Sequence, residues 1–204
     1  MSLLLLARAA ANHRKTTWST THVASGITLS NGNLTATRNG ISNFFESVKA
    51  TLGVDASSPG GRMFEIYIDE ATTSPFCTIG IATYAAPVSA NACGQDSEGW
   101  AYYQQTGQSY HSNSLASYGT AYATGDRIAV FLRAGKLWFA KNGTWQNSGD
   151  PNSNTGEAFS GISGIVFPMI SLYSVSPPPH QMTGRFSATD IVTTIPTGGA
   201  PWGA

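Results

Sequence analysis

Gly125 to Trp145 reads GDRIAVFLRAGKLWFAKNGTW, and this stretch decides the fold. Ile128 to Leu132 is a run of β-branched, apolar and aromatic residues; Gly135 interrupts it and Leu137 to Ala140 resumes it. Asn142-Gly143 supplies the residue pair that most readily takes the positive φ angles of a tight turn. The stretch therefore predicts antiparallel β-hairpin structure, with Ile128, Val130, Leu132, Leu137 and Phe139 facing a core.

Outward from this hairpin the chain continues as short strands with turn chemistry between them. Ile27 to Thr37 predicts a second hairpin closed by Asn31-Gly32, and Ser47 to Val54 and Met63 to Ile68 predict strands on either side of a Ser/Pro/Gly loop. Gln146 to Glu157 is polar and turn-rich, which marks an exposed loop, and Ile165 to Leu172 is again an apolar strand with Val166 in the core. Three consecutive prolines within Ser176 to His180 make a stiff connector. Only the first eleven residues are compatible with helical periodicity.

The Gly-Asp strand, the turn and the aromatic strand into Lys141-Asn142-Gly143 resemble the signature of the SPRY domain family. The resemblance is collinear from about Trp18 to about Asp190. It takes in GGRMFEIYI at Gly60 to Ile68, CTIGIA at Cys77 to Ala82, GWAYY at Gly99 to Tyr103 and GQSYH at Gly107 to His111. Tyr118-Gly119, VFPMISLY at Val166 to Tyr173 and TGRF at Thr183 to Phe186 complete it, with Arg185 standing where the family pattern has Asn. The resemblance implies an all-β, two-sheet antiparallel β-sandwich of the SPRY, concanavalin-like jelly-roll kind, and a function in binding partners. Residues 1–14 are then an apolar N-terminal arm, 15–190 the sandwich and 191–204 a C-terminal tail.

Composition narrows the partner. Only 11% of residues are charged and the formal net charge is zero, so neither nucleic acid nor an acidic membrane surface meets the basic footprint it requires. No stretch approaches a membrane span, and Leu3 to Leu6 is too short for a signal-peptide core. Leu3, Leu4, Leu5 and Leu6 instead suggest an assembly arm buried on a neighbouring subunit, because each leucine gains about 1.5–3 kcal/mol on burial. Capping of the chain's own sandwich edge is the alternative. Cys77 and Cys93 are too few for a disulfide scaffold; Cys77 reads as a buried thiol, and a bridge between the two stays open.

Catalytic constellations are sparse. FEIYIDE at Phe64 to Glu70 resembles the Glu-x-Asp-x-Glu strand of concanavalin-like glycoside hydrolases, but period-two geometry groups Glu65, Tyr67 and Asp69, so a tyrosine stands where the central acid belongs. The four histidines lie on separate segments without ligand spacing, and no metal or other cofactor is implied. The chain therefore reads as a non-enzyme.

Aromatics crowd the interval from Trp100 to Tyr122, among Gly, Ser and Gln. Trp100, Tyr103, Tyr110, His111 and Tyr118, with Asn152 from the later polar loop, are the candidate partner-binding residues, although Trp100 and Tyr102 also suit a core. The resemblance and composition lead to a non-catalytic structural or adhesion module of a bacteriophage virion, in tail, fibre or capsid decoration. Such a module is made in the host cytoplasm and belongs to a homo-oligomer or larger assembly. Its arm would meet other virion proteins and its loops a host-surface glycan or protein. A stand-alone intracellular peptide-binding adaptor is the second reading, and a glycoside hydrolase a distant third.

Overall fold

The computed structural model describes residues 15–38, 40–71, 76–175 and 179–204. The N-terminal arm, including Leu3 to Leu6, and most of the triple-proline connector lie outside the described residues. Everything described is strand, turn or irregular chain, without a helix.

The strands in chain order are β1 (Trp18–Val23), β2 (Ile27–Ser30), β3 (Thr35–Arg38), β4 (Ser42–Ala50), β5 (Val54–Asp55) and β6 (Gly61–Glu70). There follow β7 (Thr78–Thr83), β8 (Ser89–Ala90), β9 (Gly99–Tyr103), β10 (Ser109–His111), β11 (Ser114–Ala116) and β12 (Arg127–Arg133). The last are β13 (Lys136–Lys141), β14 (Thr144–Trp145), β15 (Ile165–Ser174), β16 (His180–Arg185) and β17 (Gly199–Pro201). The first sheet runs β1-β4-β15-β7-β9-β10-β11, with β5 on β15 and β8 on β4; the second runs β14-β13-β12-β6-β16-β3-β2, with β17 on β6. Among the described residues all strand pairings are antiparallel except β17 with β6.

The Gly125 to Trp145 stretch forms the expected hairpin, β12 against β13, with Arg133 opposite Lys136 across Ala134-Gly135. Both turn residues hold positive φ (47° and 74°), as do Asn142 and Gly143 (50° and 86°) at the next turn, so two primed-type turns fold three strands in succession. The β2–β3 connection is longer than the two residues expected: Ser30 pairs with Thr35, and Asn31, Gly32 and Asn33 all take positive φ. The strand expected at Ser47 to Val54 begins earlier, at Ser42, and breaks after Ala50.

Between the sheets lies one apolar layer. Ile128, Val130, Leu132, Leu137, Phe139 and Val166 are all buried there, joined by Phe64, Ile66, Ile79, Ile81, Ile170 and Leu172. At one end the two sheets are also joined by Arg38, whose guanidinium meets Glu46 at 3.0 Å and donates to the carbonyls of Phe44 and Leu172.

Residues 191–204 are not a tail. Trp202 is fully buried, edge-on to Phe64 at 5.3 Å, and its indole N–H donates to Leu52 O. β17 adds to β6, and Ile191 and Ile195 pack on Met63, Phe131 and Trp138, covering the outer face of the second sheet. The physical reason is that this outer face is itself apolar, and the last segment is what removes it from water.

Candidate functional site

Alternation along the strands of the first sheet sets its outer face. Trp100 and Tyr102 of β9 point toward the core, so Tyr103 points away; Ser109 and His111 of β10 point inward, so Tyr110 points away. On β15 Leu172 is core and Tyr173 is outward, and on β4 Glu46 and Val48 face inward while Phe45 faces out.

The centre of this outer face is covered by the loop 84–98. Its Ala86 and Cys93 pack on Ala82, Ala101 and Met169, while Ser171 Oγ accepts from Cys93 N. Lys49 Nζ donates to the carbonyls of Thr83 and Tyr84, fixing the root of the loop. Gly94, at φ 92°, lies so close to the Tyr110 backbone that a Cβ would collide with it.

Beyond the loop no described residue covers the face, and there five half-buried rings form a row. Phe45 lies 5.0 Å from Tyr173, Tyr173 5.2 Å from Phe76, Phe76 6.5 Å from Tyr103, and Tyr103 5.9 Å from Tyr110. Phe45, Tyr103, Tyr110, Asn113 and Leu115 line a shallow concavity of about 250 Å³. Tyr110 OH donates to Asn113 Oδ1 at 2.9 Å, which holds the phenol at the rim. Burial raises the pKa of both tyrosines, so they remain neutral phenols at physiological pH. The concavity thus offers flat apolar surface, phenol and amide hydrogen-bonding groups, and no charged lining. Beside it, β11 is exposed along its length and is the outer edge of the sheet among the described residues.

Of the residues expected from sequence to bind a partner, Tyr103 and Tyr110 come together here. Trp100 and His111 lie on the opposite side of the sheet, stacked on each other at 5.0 Å and 9°, with His111 Nδ1 2.7 Å from Gly99 O and the ring beside Phe159. Tyr118 does not reach a loop surface: it is 8% exposed, its hydroxyl accepts from Phe139 N and donates to Gly156 O, and its ring meets Phe139 and Tyr102 edge-on. The loop that carries it folds back over β13, where the ring fills the core mouth. Asn152 is exposed, but its Oδ1 is used in accepting from Thr197 N. Phe45, Phe76, Tyr173 and Leu115 were missed; the outward register of Phe45 and Tyr173 in their alternating strands was the available signal.

Glu65 ties the last segment of the chain to the second sheet. It is fully buried, its Oε1 accepting from Arg185 Nη1 at 2.9 Å and its Oε2 from Thr193 N and Thr193 Oγ1 at 3.0 and 2.6 Å. Asp69 meets Thr183 Oγ1 at 2.7 Å. Glu65 is thus sealed beneath the backbone of Val192 and Thr193. Among the described residues no three His, Cys, Asp or Glu side chains cluster as metal ligands. Both cysteines are free and buried.

The SPRY domain of human HERC1 superposes with a TM-score of 0.66 at 20% identity, covering 87% of this chain and 99% of that one. A second human SPRY domain gives 0.62 at 18% identity, covering 78% and 94%. No curated protein matches significantly by sequence. At these identities the two structures establish the fold, and the family model for the SPRY domain matches residues 62–183, more than half of the 204 residues: the chain belongs to the SPRY domain family.

Proposed function

We propose that this chain is a non-catalytic protein-binding module that grips its partner on the row of rings across the first sheet, with Tyr103 and Tyr110 as anchors. SPRY domains are in general protein-interaction modules, and the observation that carries the reading here is the aromatic row, left open by the described residues, beside an exposed edge strand. Half-buried rings already held by their neighbours lose little freedom on binding and present large apolar area, which is why such residues dominate interface energies. The uncharged lining selects an apolar or aromatic partner side chain. The edge of β11 adds backbone groups along which an extended peptide can pair.

The partner follows one of two lines. As a bacteriophage virion component, made in the host cytoplasm and incorporated in tail, fibre or capsid decoration, the module would meet a neighbouring virion protein or a host-surface ligand through this face. The low charge and the leucine-rich arm support that line. As a stand-alone adaptor it would capture a short linear peptide, and the exposed edge of β11 supports that one. Selecting binders from a displayed peptide library and a glycan array, with wild type and Tyr103→Ala/Tyr110→Ala in parallel, tests the site. Loss of at least tenfold in affinity with an unchanged melting temperature is expected, since each anchor contributes about 2 kcal/mol or more. Binders indifferent to both rings would move the site elsewhere. Fixed stoichiometry with a particle supports the virion line, and tight binding of free peptides the adaptor.

A further inference from the structure

The concavity between Phe45, Tyr103, Tyr110, Asn113 and Leu115 is one-sided in its hydrogen bonding. Tyr110 gives its hydroxyl proton to Asn113 Oδ1, which leaves the amide nitrogen of Asn113, an exposed residue of the β10–β11 turn, with N–H groups to donate. The Tyr103 hydroxyl makes no hydrogen bond to a described residue and is a further donor. No carboxylate and no Lys, Arg or His lines the concavity. A segment laid against it gains most by bringing apolar rings and hydrogen-bond acceptors, and needs few donors of its own.

We propose that the partner segment seated here is proline-rich and in the polyproline II conformation, its prolyl rings on Tyr103 and Tyr110 and its carbonyls accepting from Asn113 Nδ2 and the Tyr103 hydroxyl. The proposal rests on the reading of the aromatic row as the partner-binding site and names the class of partner. Proline is the residue whose backbone keeps its carbonyl acceptor but has no N–H, so a prolyl run buries no donor that this lining would leave unmet. A polyproline II turn of three residues rises about 9 Å, which lays consecutive prolines across Tyr103 and Tyr110, whose ring centroids are 5.9 Å apart. Such a segment is already extended before it binds and loses little conformational freedom, as suits a shallow surface of about 250 Å³. Strand addition is the weaker competitor, because β11 is three residues long and offers few backbone partners.

The experiment titrates the full chain with a blocked oligoproline peptide and with a neutral Thr/Val peptide of the same length that keeps its N–H groups. The oligoproline is expected to move the amide signals of Tyr103, Tyr110, Asn113 and Leu115 and to bind roughly tenfold more tightly than the Thr/Val peptide. Tyr103→Phe keeps the ring and removes one donor, and should weaken the oligoproline roughly three- to tenfold, the effect of one lost hydrogen bond. Asn113→Asp keeps the left-handed turn at φ 58°, which Asp tolerates, and sets a carboxylate where the amide donated; a loss of roughly tenfold or more is expected. Both variants should melt as wild type does. Thr/Val peptide binding as tightly at these residues, or oligoproline binding that ignores both variants, would overturn the proposal. If library-selected binders need Tyr103 and Tyr110 while oligoproline leaves the row's signals unmoved, the row stands as the site and the proline assignment alone falls. If those binders ignore Tyr103→Ala/Tyr110→Ala, the row is not the site and the proposal falls with it.

Discussion

Replacing Glu65 by Gln isolates what holds the C-terminal segment across the second sheet. The substitution keeps the shape but leaves one accepting oxygen where the carboxylate has two. Whichever way the amide turns, its NH2 faces donors: Arg185 Nη1 and Val192 N on one side, or Thr193 N and Oγ1 on the other. The less costly choice turns the NH2 toward Arg185, whose side chain is 24% exposed and can swing to water, so Thr193 keeps its acceptor. A hydrogen bond to a charged group is worth about 1.5–3 kcal/mol, and breaking a buried pair from one side costs about 3–5. Allowing for the solvent-facing partner, about 3 kcal/mol is expected. For a domain of this length that lowers the melting temperature by roughly 6–12 °C. Calorimetry of E65Q beside Glu70→Gln, whose cost should stay near 0.5 kcal/mol, gives the global figure. Hydrogen exchange at the Thr193 amide gives the local one, with protection falling first there. If E65Q melts within 1 °C of wild type and Thr193 stays protected, the carboxylate is not the tether, and Ile191, Ile195 and Trp202 hold the segment alone.

Both thiols should be inert in the folded protein, because burial pushes Cys77 up to about 12 and raises Cys93 as well. An aromatic disulfide reagent at pH 8 is expected to titrate neither cysteine in native protein and both in denaturant, and rapid native reaction would contradict the packing of β7 and the 84–98 loop. Asp126 is partly desolvated, which raises its pKa. Hydrogen bonds from Ala123 N, Asn142 Nδ2 and Lys141 outweigh that effect and hold it below the ordinary carboxylate range. Its contribution to stability is therefore complete above about pH 4 and lost as the pH falls through the lower folded-state value. Asp126→Asn should flatten that part of the acid-unfolding curve, and an acid limb identical to wild type would refute the assignment.

How far the sequence could be read follows from which forces are local. Alternation in β12, β13 and β15 is a local property, so Ile128, Val130, Leu132, Leu137, Phe139 and Val166 were legible as core, and the turn chemistry at Asn142-Gly143 was legible as a turn. The same parity already separated Tyr103 and Tyr110 from Trp100 and His111, since neighbours in a strand cannot share a face. Grouping them by aromatic density alone obscured that. What no window reveals is which outer faces stay open. Both sheets carry apolar residues on their outer sides, and distant segments choose what to cover: residues 191–204 close the second sheet over Met63, Phe131 and Trp138, and the 84–98 loop closes the middle of the first. Tyr118 was buried by the same kind of long-range return, through Phe139 N and Gly156 O. A lone tryptophan in a Gly/Pro-rich terminus looks like a tail by composition, yet Trp202 brings more apolar surface than its neighbours can leave in water, and the chain folds back to bury it. The aromatic row is then what remains when these covers are in place, which is why its members come from β4, β9, β10, β15 and the approach to β7 and from no contiguous motif.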